Sequence, residues 1–353
     1  MAVRMKDIAK DLNLSVVTIS KVLRDHPDIA DDTRERVLRR VKELDYQPNS
    51  TARSLVTGRS YLIGLVVPSL LHCFFAEVAQ ALSAAVGKRG YSIIVSSSEE
   101  DSELEAREVQ QLIGRKLDAL VVASSRNDTE PFQRMERHGL PYVLIDREIS
   151  GWTAANFVGT DDEAAGRIAT EHLIDQGCRR VAHIRGKENS TGIRRFEGYK
   201  QALQRHQIPY DDTLVVAPSN VDTITTTLGE EVTRHLLRQR PMPDGLFAYN
   251  DPLAIGAMEA ILGAGLRIPE DIALIGCGNL FFDGSLRVPL SSIDQNSQAI
   301  GEHTASILLN ILESKVRPEP LRVILEPSLV ARASSSGLKP ATLSLRGCAE
   351  DLD

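Results

Sequence analysis

The chain is poor in cysteine and aromatic residues and has no long apolar run. Its 353 residues hold four cysteines, Cys73, Cys178, Cys277 and Cys348, widely scattered and without a CxxC pair. That excludes a disulfide scaffold, a zinc ribbon and a thioredoxin-type redox centre. No apolar stretch approaches the ~18 residues that a membrane helix needs. The opening MAVRMKDIAK carries Lys6, Asp7 and Lys10 where a secretory leader would be apolar, so no signal peptide is expected. Catalytic signatures are missing too: there is no GxSxG, no P-loop, no HExxH and no GxGxxG after a strand. GAGLRIP (263–269) has glycines but follows a helical stretch and reads as a helix stop. The eight histidines show no metal-ligand spacing, and His172 and His183 read as ordinary helix and strand positions. The expectation is a reduced, cytoplasmic protein with no metal or cofactor, and not an enzyme.

What is there is an ordinary globular composition, 42% hydrophobic and 25% charged, on a chain long enough for two or three domains. The charge is unevenly divided. Residues 1–60 hold 12 Lys+Arg against 9 Asp+Glu, and the remainder 29 against 39. A small basic head on an acidic body suggests a local nucleic-acid contact.

The pattern inside the head sharpens this. Residues 6–13, KDIAKDLN, put Ile8, Ala9 and Leu12 on one helical face. Asn13-Leu14 breaks the pattern, and Ser15 can cap a second helix, VVTISKVL, through its hydroxyl. There Ile19, Val22 and Leu23 share the face that packs on Ile8 and Leu12, leaving Val16, Val17, Ser20 and Lys21 on the other side. Two outward valines at a helix start suit an apolar partner such as thymine methyl groups in a major groove. A third helix follows Asp31/Asp32, either of which can cap it, with Val37, Val41 and Leu44 as its stripe and Arg34, Arg36, Arg39, Arg40 and Lys42 on its polar side. Short helices joined this way form a helix-turn-helix, with the second as the reader. A plain three-helix bundle that binds nothing fits the same pattern.

The combination of DIA, S-x-x-TIS-x-VL, T-R-x-x-V and Y-x-PN-x-xAR-xL over residues 5–60 closely resembles the DNA-binding segment of the lactose-repressor/galactose-repressor (LacI-type) family. The resemblance implies that Val16, Val17 and Lys21 touch base edges, while Ser15, Thr18, Ser20 and Asn49 hold phosphates. Residues 49–57, NSTARSLVT, are too few to hold a helix alone in water. By resemblance they form a hinge helix ordered on DNA, with Ala52 admitting the backbone to the minor groove and Leu55 wedging between base pairs. A mere linker role for Leu55 is the alternative.

From Tyr61 onward, strand-like runs (62–68, 91–97, 118–124, 142–146, 180–184, 213–217, 245–250, 271–277) alternate with helical stretches (75–89, 101–115, 162–176, 193–206, 224–239, 253–265, 296–314). That predicts parallel sheets with helices on both faces, in two lobes. RVILEP and SLVARAS (322–334) are expected to pair as late edge strands. The body resembles the type I periplasmic-binding-protein fold of the same family. The expected architecture is therefore α plus α/β: a helix-turn-helix head (1–48), hinge helix and linker (49–60), two-lobed effector-binding and dimerisation body (61–333), and flexible tail (334–353). The tail lacks leucine heptads, which argues against a tetramerisation bundle.

Open α/β sheets bind ligands beyond the carboxyl ends of their strands. Phe74, Asp146, Asp161, Arg195, Asp251 and Gln295 match family positions that line the effector pocket, and their groups suit hydroxyls, ring oxygens and a sugar or base face. Each also has a plainer reading: Phe75 as core, Asp162 as a helix cap, Asp251 before Pro252 as another. Two departures from the family stand out. The loop after the DIALIG strand reads GCGN (276–279), without the usual aromatic and acid, and the usual Gly-Pro after the fifth strand reads RGK (185–187). The resemblance implies a homodimeric, ligand-responsive regulator of double-stranded operator DNA, with a sugar or related metabolite in the cleft. The other reading is a free-standing cytoplasmic sugar-binding protein or sugar-modifying enzyme on the same fold.

Overall fold

In the computed structural model, the described residues are 3–23, 26–46, 54, 58–126, 128–149, 151–152, 154–217 and 226–336. They belong to two compact units, divided after Ser60. The predicted positions Asn49, Ala52 and Leu55, and the tail from 337 onward, lie outside the described residues.

The described residues of the first unit include the helices α1 (Met5–Leu12), α2 (Val16–Leu23) and α3 (Asp31–Glu43). Asn13 closes α1 in the left-handed conformation, φ 52°, which an asparagine tolerates better than most residues. Ile8, Ala9, Ile19, Val22, Val37 and Tyr46 form the core. One capping expectation is corrected. Ala30, not Asp31 or Asp32, stands at the N-cap of α3 and makes no side-chain cap. The two aspartates fall in the first turn, where they face the positive end of the helix dipole.

The second unit is built on two six-stranded sheets. Lobe 1 has β1 (Leu62–Val67), β2 (Ser92–Ser97), β3 (Ala119–Val122), β4 (Tyr142–Ile145), β5 (Asn156–Thr160) and β11 (Arg322–Leu325), in the order β11-β5-β4-β3-β1-β2. Lobe 2 has β6 (Val181–Ile184), β7 (Val215–Val216), β8 (Gly245–Ala248), β9 (Ala273–Cys277), β10 (Ser291–Asp294) and β12 (Ser328–Val330), in the order β12-β10-β9-β8-β6-β7. Every pairing is parallel except that of β12 with β10. The helices are α4 (Cys73–Gly87), α5 (Ser102–Gly114), α6 (Glu130–Arg137), α7 (Asp162–Asp175), α8 (Ser190–Arg205), α9 (Thr226–Leu236), α10 (Asp251–Gly263) and α11 (Ser297–Glu313). The chain passes between lobes three times, after β5, after β10 and between β11 and β12.

Three features depart from the sequence expectation. The strands β5 (NFVGT) and β10 (SSID) carry Asn, Gly and Ser in place of an apolar run, so pattern alone passes over them. The two late strands do not pair with each other: β11 joins β5 on one sheet and β12 joins β10 on the other. Ser334 and Ser335, placed at the start of a flexible tail, are fully buried. The Ser334 hydroxyl donates to the Leu274 carbonyl (2.6 Å) and accepts from the Ser291 N–H (2.8 Å).

Helices α7 and α8 touch backbone to backbone. A Cβ at Gly166 would collide with the carbonyl of Arg195, and one at Gly198 with the carbonyl of Glu163. This contact fixes where α8 presents its side chains. Gly198→Ala should therefore cost about 1–3 kcal/mol, the usual range for overpacking. Gly263, at the end of α10, has open space around its Cβ direction and should accept alanine with no loss. Urea denaturation of the two variants checks this, and equal midpoints would show that α7 and α8 can separate freely.

Candidate nucleic-acid interface and effector cleft

In the head, the Ser15 hydroxyl accepts from the Thr18 N–H at 3.0 Å and lies 2.9 Å from the Thr18 hydroxyl. The sequence placed the start of α2 correctly, and both hydroxyls are engaged there. Ile19 and Val22 are buried, whereas Val16 and Val17 are 46% and 63% exposed. Ser20 is half-buried. Lys21 Nζ meets Asp28 Oδ2 at 2.5 Å, an exposed pair. Much of the basic side of α3 is matched by its own surroundings: Arg39 pairs with Glu35, and Arg40 with Asp11 and Glu43. Arg34 donates to the His26 carbonyl.

In the body, the carboxyl ends of the strands bring charged groups together. Arg147, two residues past β4, is 2% exposed and grips Glu100, past β2, with two nitrogens at 2.6 and 3.1 Å. Lys187, past β6 in lobe 2, reaches the same carboxylate at 3.2 Å. Burial works against the charge on Glu100, but Arg147 and then Lys187 outweigh it and hold the acid below the usual carboxylate range. Lys187 belongs to the RGK segment that departs from the family pattern. Nearby, the Glu148 N–H donates to Ser190 Oγ at 2.8 Å and the Glu148 carboxylate pairs with Arg194 at 3.1 Å, again across the lobes.

Arg195, 3% exposed on α8, donates to Asp162 Oδ1 and to the Tyr249 carbonyl, each at 2.8 Å. Its guanidinium lies 4.6 Å over the Tyr249 ring. The Tyr249 hydroxyl in turn bonds Thr191 at 2.7 Å. His72, past β1, is buried against Phe74 and Phe75, and its Nδ1 has no hydrogen-bond partner among the described residues. Burial, then the charges of Arg147 and Arg195, push its pKa down to about 4, so the ring is neutral at pH 7.

The other expected cleft residues are placed as follows. Phe74 is buried in the lobe 1 core alongside Phe75. Asp146 is buried at φ 61°, in a three-residue turn closed by the Arg147 N–H on the Ile145 carbonyl. Asp161 and Asp162 exchange the roles expected of them. Asp161 caps α7 by accepting from the Ala164 N–H at 3.0 Å, while Asp162 is the buried partner of Arg195. The reason is helical geometry: a cap residue must precede the first turn, and the next side chain then turns inward. Gln295 is buried at the crossover, its carbonyl accepting from Thr160 at 2.8 Å.

Asp251 is fully buried in lobe 2, and Asn250 is the cap of α10. The Asp251 carboxylate accepts from Ser292 Oγ at 2.6 Å and from the Leu280 N–H at 3.3 Å, and it lies against Asp283. The oxygens of Asp283 have no protein donor among the described residues. Burial first, and then the Asp251 charge, push Asp283 up to about 9. Sequence reasoning missed Glu100, Arg147 and the cleft role of Asp162. All three stand one to three residues past a strand end, the rule that singled out Asp146.

A helix-turn-helix head on a two-lobed, parallel-sheet body defines a class of ligand-responsive DNA-binding proteins, and comparison with known proteins agrees. Residues 4–49 match the model for bacterial regulatory proteins of the lacI family, and residues 170–335 the periplasmic binding protein-like domain. The ribose operon repressor of Halalkalibacterium halodurans is 32% identical over 334 residues, covering 94% of this chain and 97% of that protein. The structure of a CelR–cellobiose complex aligns with TM-score 0.72 at 27% identity, over 94% of this chain and 99% of that one. The Lac repressor dimer bound to operator and an anti-inducer aligns with TM-score 0.81 at 25% identity, over 95% and 99%. The chain belongs to the LacI family of bacterial transcriptional regulators.

The Asp251–Asp283 pair gives the body a pH dependence with a definite sign. An acid protonated in the fold up to pH about 9, but ionised in the unfolded chain above about 4, makes stability fall as pH rises between those values. Asp283→Asn keeps a donor toward Asp251 and removes that decline. Its thermal midpoint should exceed the parent's by more at pH 8 than at pH 5; parallel profiles would show that the pair carries no extra proton.

Proposed function

We propose that the chain is a homodimeric repressor that binds a pseudo-palindromic operator through two heads and responds to a small molecule in the cleft of its body. The observation that carries this reading is the display of Val16 and Val17 on the outer face of α2, in a head of LacI-family type. Exposed valines at a helix start lose water favourably only against an apolar partner, and thymine methyl groups offer one. Val16, Val17 and Lys21 read bases; Ser15, Thr18, Ser20 and Asn49 hold phosphates; Ala52 and Leu55 act in the minor groove. Lys21 must leave Asp28 to do so, which costs little because an exposed pair contributes only ~0–1 kcal/mol. Two-fold symmetry of a dimer demands two half-sites.

The relatives' names support the effector class: one is a ribose operon repressor and another is bound to cellobiose. In this chain the cleft groups are Asp146, Arg147, Asp162, Arg195, Gln295 and Glu100, and Phe74 packs in the lobe 1 core against His72. Asp161 serves the helix cap and Asp251 the interior of lobe 2. No helix among the described residues is long and apolar enough to cross a membrane, and no group of three or more metal-ligating side chains occurs among them. We place the protein in the cytoplasm, with its DNA, and assign it no catalytic step.

The test starts from duplexes selected from a random pool. Lys21→Ala should cost about 1–3 kcal/mol and relax preference at one position of each half-site, with the salt slope of log K unchanged. A uniform loss across sequences, with a shallower slope, would move Lys21 to phosphate contact. Failure of the parent chain to enrich any duplex would remove the operator reading altogether.

A further inference from the structure

Lys21 stands one turn after Val17 on α2, so its stem runs along the same outward face as the exposed valines. Its Nζ donates to Asp28 Oδ2 at 2.5 Å. Asp28 belongs to the turn between α2 and α3. That turn is tied to both helices: the His26 N–H donates to the Lys21 carbonyl at 3.0 Å, and Arg34 of α3 donates to the His26 carbonyl at 2.8 Å. His26 Nδ1 lies 2.5 Å from the other carboxylate oxygen, Asp28 Oδ1. Each oxygen of Asp28 therefore has a partner of its own. The hydrogen bond from Lys21 outweighs partial desolvation and holds the Asp28 carboxyl below its usual range, so the group is an anion at pH 7.

Such a pair changes what a wrong base costs. A recognition site rejects a mismatch strongly when the mismatch leaves one of the site's own polar groups without a partner where water has been excluded. Against an incorrect base pair Lys21 still has Asp28 within reach of the same side chain, so its ammonium is not stranded. Against the correct base pair the lysine turns to the base acceptors, and Asp28 keeps His26 on its second oxygen. Neither state leaves a charge alone, and an exposed pair of this kind exchanges at little cost. We propose that Asp28 is a specificity-determining residue: a second partner inside the head that takes back Lys21 at a mismatched base pair and so makes the reading of that one position tolerant. The tolerance is confined to Lys21. Val16 and Val17 have no polar alternative and lose their apolar contact outright at a wrong base. The inference rests on the reading of Lys21 as a base contact.

The experiment uses the full chain and duplexes that the parent selects from a random pool, with affinities measured at one salt concentration. Lys21→Ala locates the base pair at which preference relaxes. That base pair is then changed in both half-sites, and the loss of affinity is compared between parent and variants. Asp28→Ala should bind the selected duplex at least as tightly as the parent. Its loss on the changed duplex should be about tenfold larger than the parent's, roughly threefold per half-site. Asp28→Glu keeps a carboxylate within reach of the ammonium and should show the parent's loss. Losses at the other base pairs should stay as they are, and in a Lys21→Ala background Asp28→Ala should alter none of them. An unchanged loss in Asp28→Ala overturns the proposal, as does a loss that grows at every base pair or grows equally without Lys21. Should Asp28→Ala fail to fold, Asp28→Asn, which keeps the shape and removes the charge, carries the same test. If Lys21→Ala weakens all duplexes uniformly, the base-reading role falls and this proposal falls with it. If it relaxes one position on which Asp28 has no influence, this proposal alone falls.

Discussion

A guanidinium taken out of water must keep an anion beside it, and that requirement organises the carboxyl ends of both sheets. Arg195 and Arg147 are almost wholly covered, so each needs a carboxylate within hydrogen-bond reach. Asp162 supplies one, and the close approach of α7 and α8 at Gly166 and Gly198 sets the distance between them. Glu100 supplies the other, through a turn that local preference disfavours. The remaining cleft geometry follows from these two pairs. Tyr249 lies under the Arg195 guanidinium, Thr191 holds the Tyr249 hydroxyl, and Lys187 adds a second lobe to the Glu100 pair. Removing one partner of such a pair strands a charge, so a ligand must satisfy whatever it displaces.

The head solves the opposite problem. Its ion pairs are exposed, involving Lys21 with Asp28 and Arg39 with Glu35. Such pairs exchange partners at little cost and weaken with salt. A surface that must exchange its own carboxylates for DNA is well served by them. The apolar contribution is likewise held in reserve: Ile19 and Val22 anchor α2 inside, and Val16 and Val17 are left to meet a partner.

Much of this was legible in the sequence because it rests on local chemistry. The α2 helix runs over the predicted residues, since a serine cap followed by a period of three to four leaves few alternatives. The strand–helix alternation revealed the lobes for the same reason. What escaped was set by tertiary context. β5 and β10 are buried strands made of polar and small residues, stabilised by neighbours that the linear pattern does not show. Asp161 and Asp162 differ by one position, and only the register of α7 against α8 assigns one to the cap and the other to Arg195. Asp251 has the spacing of a cap, yet Asn250 takes that place because its amide oxygen reaches the Leu253 N–H, leaving the acid to the interior. Pairings such as Glu100 with Lys187, 87 positions apart, have no sequence signature at all.

The lobes are joined in two ways that differ in kind. Three chain crossings are covalent, and two of them are tied together where Thr160 donates to the Gln295 carbonyl. The contacts of Glu100 with Lys187 and of Glu148 with Ser190 and Arg194 are not covalent. A change in the setting of the lobes must therefore bend the crossings and break or remake those polar contacts. A ligand shifts such an equilibrium only by the difference in its affinity for the two settings. Groups that touch a single lobe contribute equally to both settings and shift nothing. A carboxylate held from both sides changes its company when the lobes move, so contacts that span the lobes are the ones through which binding in the cleft can be felt beyond it.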